Sequence, residues 1–162
     1  MSAVKKIRVK NTLAAAVRAP GGKTIAEAVA GAEARLEDIK DDCLASLDKI
    51  LASLAELIEN PNYLPREEVL AGLYDLSNDI VGIAGVAGLG DMGKAAFSFC
   101  DLLDVFMDQG GWNAAAVEVH MNGLKLLRTM SDKIGEAGRA QILEGLFAVV
   151  KRIKAGANPA GA

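Results

Sequence analysis

The sequence predicts an all-α protein, an up-down antiparallel four-helix bundle with an additional long helix at its N-terminal side. Three observations point there. Apolar residues recur at steps of three and four, the helical period. Hydrophobic residues make up 51% of the 162-residue chain but aromatics only 4%, which suits helices packed through small and medium side chains. β-Branched runs with period-two alternation are scarce. The length is that of one domain with room for a core.

Thr24 followed by Glu27 has the spacing of a capping box and predicts the start of the first helix. Leu36, Ile39, Cys43, Leu47, Ile50, Leu54 and Leu57 form its apolar stripe and carry it to about Glu59. NPNYLP then breaks the helix, with Pro65 suited to the first turn of a second and Glu67 and Glu68 near its positive end. The second helix fades into SNDIVGIAGVAGLG, and Asp91 restarts a third that runs to about Met107. After DQGG, Asn113 caps a fourth helix to about Ile134, and a fifth spans about Glu136 to Lys154. Residues 1–23 are expected to be a flexible basic arm, 24–154 the bundle and 155–162 a flexible tail.

Charge is unevenly spread. Lys5, Lys6, Arg8, Lys10, Arg18 and Lys23 face no acid in residues 1–23, whereas residues 24–162 carry 12 basic and 21 acidic side chains, a net of −9. An acidic body argues against nucleic acid as a partner. No stretch approaches the roughly 20 apolar residues of a membrane span, so insertion into a membrane is not expected. The run LAAAV is also too short for the core of a signal peptide. Cys43 and Cys100 lie in helical apolar patterns outside any C-x-x-C, as buried free thiols of a cytoplasmic protein would. No cofactor or metal is expected, since neither a strand-to-helix phosphate loop nor a set of convergent ligands is evident.

Four glycines (Gly82, Gly85, Gly88 and Gly90) crowd the end of the second helix, where each interior glycine costs about 0.5–1 kcal/mol relative to alanine. At 100° per residue, Leu73, Leu76, Ile80, Ile83 and Ala87 form the core stripe. Asn78 falls nearly opposite. Ala71, Tyr74, Asp75, Val81, Gly82 and Gly85 lie around it, making a flat outer strip with one exposed valine and one tyrosine. A covering helix, or close approach by a neighbouring helix, is the alternative account of the glycines.

The stretch LSNDIVGIAGVAGLGDMGKAAFSFCDLLD resembles the core motif of histidine phosphotransfer domains, helical bundles that relay phosphoryl groups in bacterial two-component signalling. Ile80, Gly82, Ala84, Gly85 and Gly88 match its pattern, as does the segment from Phe97. The likeness is closest to the branch written H-D-I-K-G-x-A-G-x-x-G. It covers about 30 residues well and extends loosely to residues 24–154. The fold it implies is the bundle above, of the histidine phosphotransfer type.

Two positions depart from the motif, and both are chemical. Asn78 stands where the family has its phospho-accepting histidine, and Val81 where it has lysine. A carboxamide nitrogen is conjugated and a very poor nucleophile, and the missing lysine removes a charge that steadies phosphoryl oxygens. What the resemblance still implies is a docking surface of Ala71, Tyr74, Asp75, Asn78, Val81, Gly82 and Gly85. The expected function is then non-enzymatic: a pseudo-phosphotransfer protein that binds a response-regulator receiver domain or a histidine kinase without carrying phosphate. One alternative is an active phosphotransfer protein using His120, although Val117, Leu124 and Leu127 place that residue on the apolar side of its helix as a partly buried structural histidine. Another is a helical oligomerisation module whose glycine face pairs with a second copy, as a homodimer. Trp112, after two glycines, is expected to pack over a helix junction.

Overall fold

The computed structural model of the chain describes residues 21–59 and 66–156. These residues are all helical apart from short joints, and no strand occurs among them. Helix α1 is Ile25–Glu59, α2 is Arg66–Ala84 and α3 is Gly90–Gln109. The stretch Ala114–Gly156 is helical on both sides of Gly135, whose φ of 66° and ψ of 177° interrupt it. It therefore counts as α4 (114–134) and α5 (136–156). Most of the expected basic arm, the NPNYLP joint with Pro65, and the end of the tail (157–162) lie outside the described residues. The described residues divide between Leu36 and Glu37 into two compact units.

In the first unit the capping box is present. The Thr24 N–H donates to the Glu27 carboxylate at 2.7 Å and the Glu27 N–H donates to Thr24 Oγ1 at 3.2 Å, so two orphan donors of the first turn are satisfied. Leu36 is 50% exposed, against the expectation that it joins the core.

In the second unit Ile39 is likewise exposed, at 45%, and the buried stripe of α1 begins at Leu47, with Leu51 and Leu54. The helical period identifies which side of a helix is apolar, but burial requires a neighbour against that side. Asn113 Oδ1 accepts from the Ala116 N–H at 3.0 Å, so α4 starts at the expected cap. Trp112 packs at the α3–α4 joint, its ring 5.9 Å from that of Phe106 and covered by the Arg66 guanidinium at 5.5 Å.

The α2 stripe is rotated from the expected one. Leu70, Leu73, Ser77, Ile80, Ala84 and Ala87 are buried, whereas Leu76 and Ile83 are half-buried at its flank. Ser77 escapes a hydrophobic count, yet its hydroxyl donates to the Leu73 carbonyl at 2.7 Å and so needs no water. Helix α3 packs against α2, and against the stretch that contains α4 and α5. Half of its 20 residues are buried, too many for one stripe, so it is enclosed on several sides.

Close helix approach occurs at other glycines than those in the glycine-rich passage. A Cβ on Gly72 would lie 3.1 Å from Leu57 Cδ1, and one on Gly123 would lie 3.0 Å from Leu146 Cδ1. Gly123→Leu should therefore overpack the α4–α5 contact and lower the unfolding free energy by about 1–3 kcal/mol. Gly82→Ala meets nothing within 4 Å and should raise it by up to about 1 kcal/mol through helix propensity. Urea titration of the two variants measures both signs.

Candidate functional site

The glycine passage divides into two parts with different causes. Gly88 has φ of 76°, a conformation that favours glycine, and it ends α2. The Leu89 N–H donates back to the Ala84 carbonyl at 2.8 Å and the Gly88 N–H to the Gly85 carbonyl at 3.2 Å, the pairing of a Schellman turn. Gly88 therefore serves chain reversal and needs no partner to explain it. Gly82 and Gly85 are different. Both are exposed, and a Cβ on either would meet nothing within 4 Å. No described helix covers them.

Around these two glycines the structure puts the other expected site residues on the same side of α2. Ala71, Asp75 and Asn78 are exposed, while Tyr74 and Val81 are half-buried. Val81 corrects the expectation of an exposed valine: its side chain packs partly on the core, and its carbonyl oxygen lies 4.0 Å from where a Gly93 Cβ would stand. The reason is the rotated stripe, which turns position 81 towards α3. Tyr74 also leans that way. Asp104 of α3 is the largest cause raising its hydroxyl pKa, followed by Cys100, burial, Asp101 and Asp75. The Tyr74 carbonyl receives the Cys100 thiol at 3.9 Å.

Asn78 presents a carboxamide to solvent with no imidazole nearby, because His120 is elsewhere. His120 is fully buried on α4, deeper than the partial burial expected from its apolar neighbours. Its Nδ1–H donates to the Ala116 carbonyl at 2.8 Å, an oxygen that can only accept. Nε2 is then the acceptor for the Ser98 hydroxyl at 3.1 Å, and Phe99 stacks on the ring with centroids 5.5 Å apart. Both nitrogens are occupied and neither reaches water. Phosphoryl transfer needs an accessible lone pair, so this histidine is a core element linking α3 to α4. Sequence reading missed Ser98, because the pair is separated by 22 residues and only the packing of two helices brings them together.

The thiols are not a site either. Cys43 is half-buried, and burial pushes the buried Cys100 thiol up to about 11, which keeps it protonated. At the start of α3, Asp91 binds Lys94 at 2.8 Å and Arg139 of α5 at 3.0 Å, and the Lys94 hydrogen bond leads in lowering its pKa. Among the described residues no three His, Cys, Asp or Glu side chains are grouped to hold a metal, and no helix is long and apolar enough to cross a membrane. No family model, curated protein or solved structure matches the chain.

The buried histidine has a pH signature. Burial lowers its pKa from the ordinary 6.5, and the bond to Ala116 opposes this in part. The unfolded chain therefore binds the proton more readily than the folded one. His120 contributes full stability above about pH 6.5, and that contribution is lost as pH falls towards the folded-state value. Unfolding free energies of wild type and His120→Gln between pH 8 and 5 should converge as pH falls. Parallel curves would exclude the role.

Proposed function

We propose that the protein is a non-catalytic, pseudo-phosphotransfer member of the histidine phosphotransfer type. It docks a response-regulator receiver domain or a histidine kinase through the outer face of α2 and carries no phosphate. One observation carries this reading: Asn78 stands exposed on that face, at the position of the family's histidine, beside two glycines with open space above them. A receptive backbone without a nucleophile suits contact and not group transfer. The occupied nitrogens of His120 support the same reading, because they leave no substitute acceptor. Partners of this kind are cytoplasmic, and that is the compartment proposed.

The bundle is read as up-down, with α2 to α5 as its antiparallel core and α1 as the additional helix. Pairs of contacts support this direction of packing. Tyr74 meets Cys100 and Val81 approaches Gly93, so residue numbers rise on α2 as they fall on α3. Ser98 with His120 and Phe106 with Trp112 do the same for α3 and α4. Gly123 with Leu146 and Ile134 with Gly138 do it for α4 and α5.

Two measurements test the function. With an active histidine kinase and phosphorylated receivers, the protein should acquire no acid-labile label; a label that vanishes in His120→Ala would restore a relay. Gly82→Arg should weaken binding to a receiver or kinase partner about tenfold or more by forcing the two backbones apart, while leaving the unfolding midpoint unchanged or slightly raised. Leu73→Ala, in the fully buried stripe, should instead cost about 2–5 kcal/mol of stability. Unfolding by Gly82→Arg would place the glycine in the interior and end the docking reading.

A further inference from the structure

The exposed face of α3 deepens that reading by naming the chemistry of the partner. Phe97 is 58% exposed, the most exposed aromatic side chain among the described residues. Asp101, Asp104 and Asp108 follow it at steps of four, three and four, so they share its side of the helix. Exposed Met107 lies one turn beyond Asp104. The face is continuous with α2. Tyr74 meets Cys100, and Val81 approaches Gly93; the same register puts Asn78 level with residue 96, beside Phe97.

Charge on this face is only partly compensated. Lys154 pairs with Asp101 at 3.6 Å and Lys94 is held by Asp91 at the start of α3, and among the described residues Asp104, Asp108 and Asp75 have no cation in ion-pair range. The repulsion is felt locally: burial first, then Asp101 and Asp108, raise the Asp104 pKa, with Lys154 opposing. An aromatic anchor followed by a row of carboxylates in excess over cations complements an apolar pocket flanked by cations.

We propose that Phe97, Asp101, Asp104 and Asp108 of α3, with Tyr74 and Asp75 of α2, form a docking surface for a protein segment presenting Lys or Arg around an apolar contact. It rests on the docking role of the α2 face and adds to it the sign of the partner's charge. Phe97 supplies the buried contact, and the carboxylates select against acidic partners and speed encounter with basic ones.

The test uses the full chain, ¹⁵N-labelled, titrated with an 18-residue amphipathic Leu/Lys helical peptide and with its Leu/Glu counterpart at 0.15 M salt. The Lys peptide should shift amide signals centred on residues 97–108 and on Tyr74, and the Glu peptide should not. Phe97→Ala and Asp104→Lys should each weaken the Lys peptide about tenfold or more without altering the far-ultraviolet circular dichroism. Affinity should rise as salt is lowered. No shifts in this region, equal response to both peptides, or insensitivity to both substitutions would overturn the proposal. So would a homodimer that uses this face, detected by sedimentation and dissociated by Phe97→Asp, because a second copy would then be the occupant. Loss of receiver or kinase binding in Gly82→Arg, together with failure of the Lys peptide, would leave the α2 seat standing and remove only the basic partner.

Discussion

The described part of the second unit depends on the burial of α3. Ten of its 20 residues are buried, and several are small: Ala95, Ala96, Ser98 and Cys100 stand among Phe99, Leu102, Leu103 and Phe106. Small side chains let neighbouring helices come close while the large ones fill the space between them. Contacts to α2, α4 and α5 all radiate from it, through Cys100, through Ser98, and through Asp91 and Asp101. A helix so enclosed leaves only a narrow strip for solvent, and that strip holds Phe97 and the aspartates. The exposed chemistry of α3, with Lys94 and Met107 beside it, is what packing leaves over.

The same packing decides the fate of the single histidine. An imidazole can fill a core position only if both nitrogens are satisfied without water, since an unmet buried polar group costs about 1–3 kcal/mol. Ala116 and Ser98 meet that need. The arrangement selects the neutral Nδ1–H tautomer and binds two helices to one ring. The result is opposite in kind to an active-site histidine, which keeps one nitrogen open. Asn78, on the exposed side of α2, has the access that His120 lacks, but its amide nitrogen lone pair is delocalised into the carbonyl.

The glycines show how one residue type answers several physical demands. Gly88, Gly110 and Gly135 adopt positive φ where helices end or break. Gly72 and Gly123 make room for a leucine from the facing helix. Gly82 and Gly85 do neither, and they are the ones that lie exposed on the outer side of α2 with Asn78. Sorting them by demand leaves two glycines of that passage, Gly82 and Gly85, that neither a turn nor a close contact explains.

Helix boundaries were legible in the sequence because caps and breakers act within a few residues. Thr24 with Glu27, Asn113, and the glycines at 110 and 135 each work through bonds or torsions local to the chain. The all-helical class followed from periodicity in the same way, and so did the outward placement of Ala71, Asp75, Asn78, Gly82 and Gly85. Burial was less legible. Leu36 and Ile39 continue an apolar stripe but remain exposed, and Ser77 is buried although polar, because each outcome depends on what a distant segment places against it. The Ser98–His120 bond and the turn of Val81 and Tyr74 towards α3 join residues far apart in the chain. By itself the sequence determined where helices begin and end and which side of α2 faces outward, since these are local matters of torsion and period. Only the tertiary structure decided which apolar sides are covered and which polar groups meet, because those depend on helix against helix, at separations that no local pattern encodes.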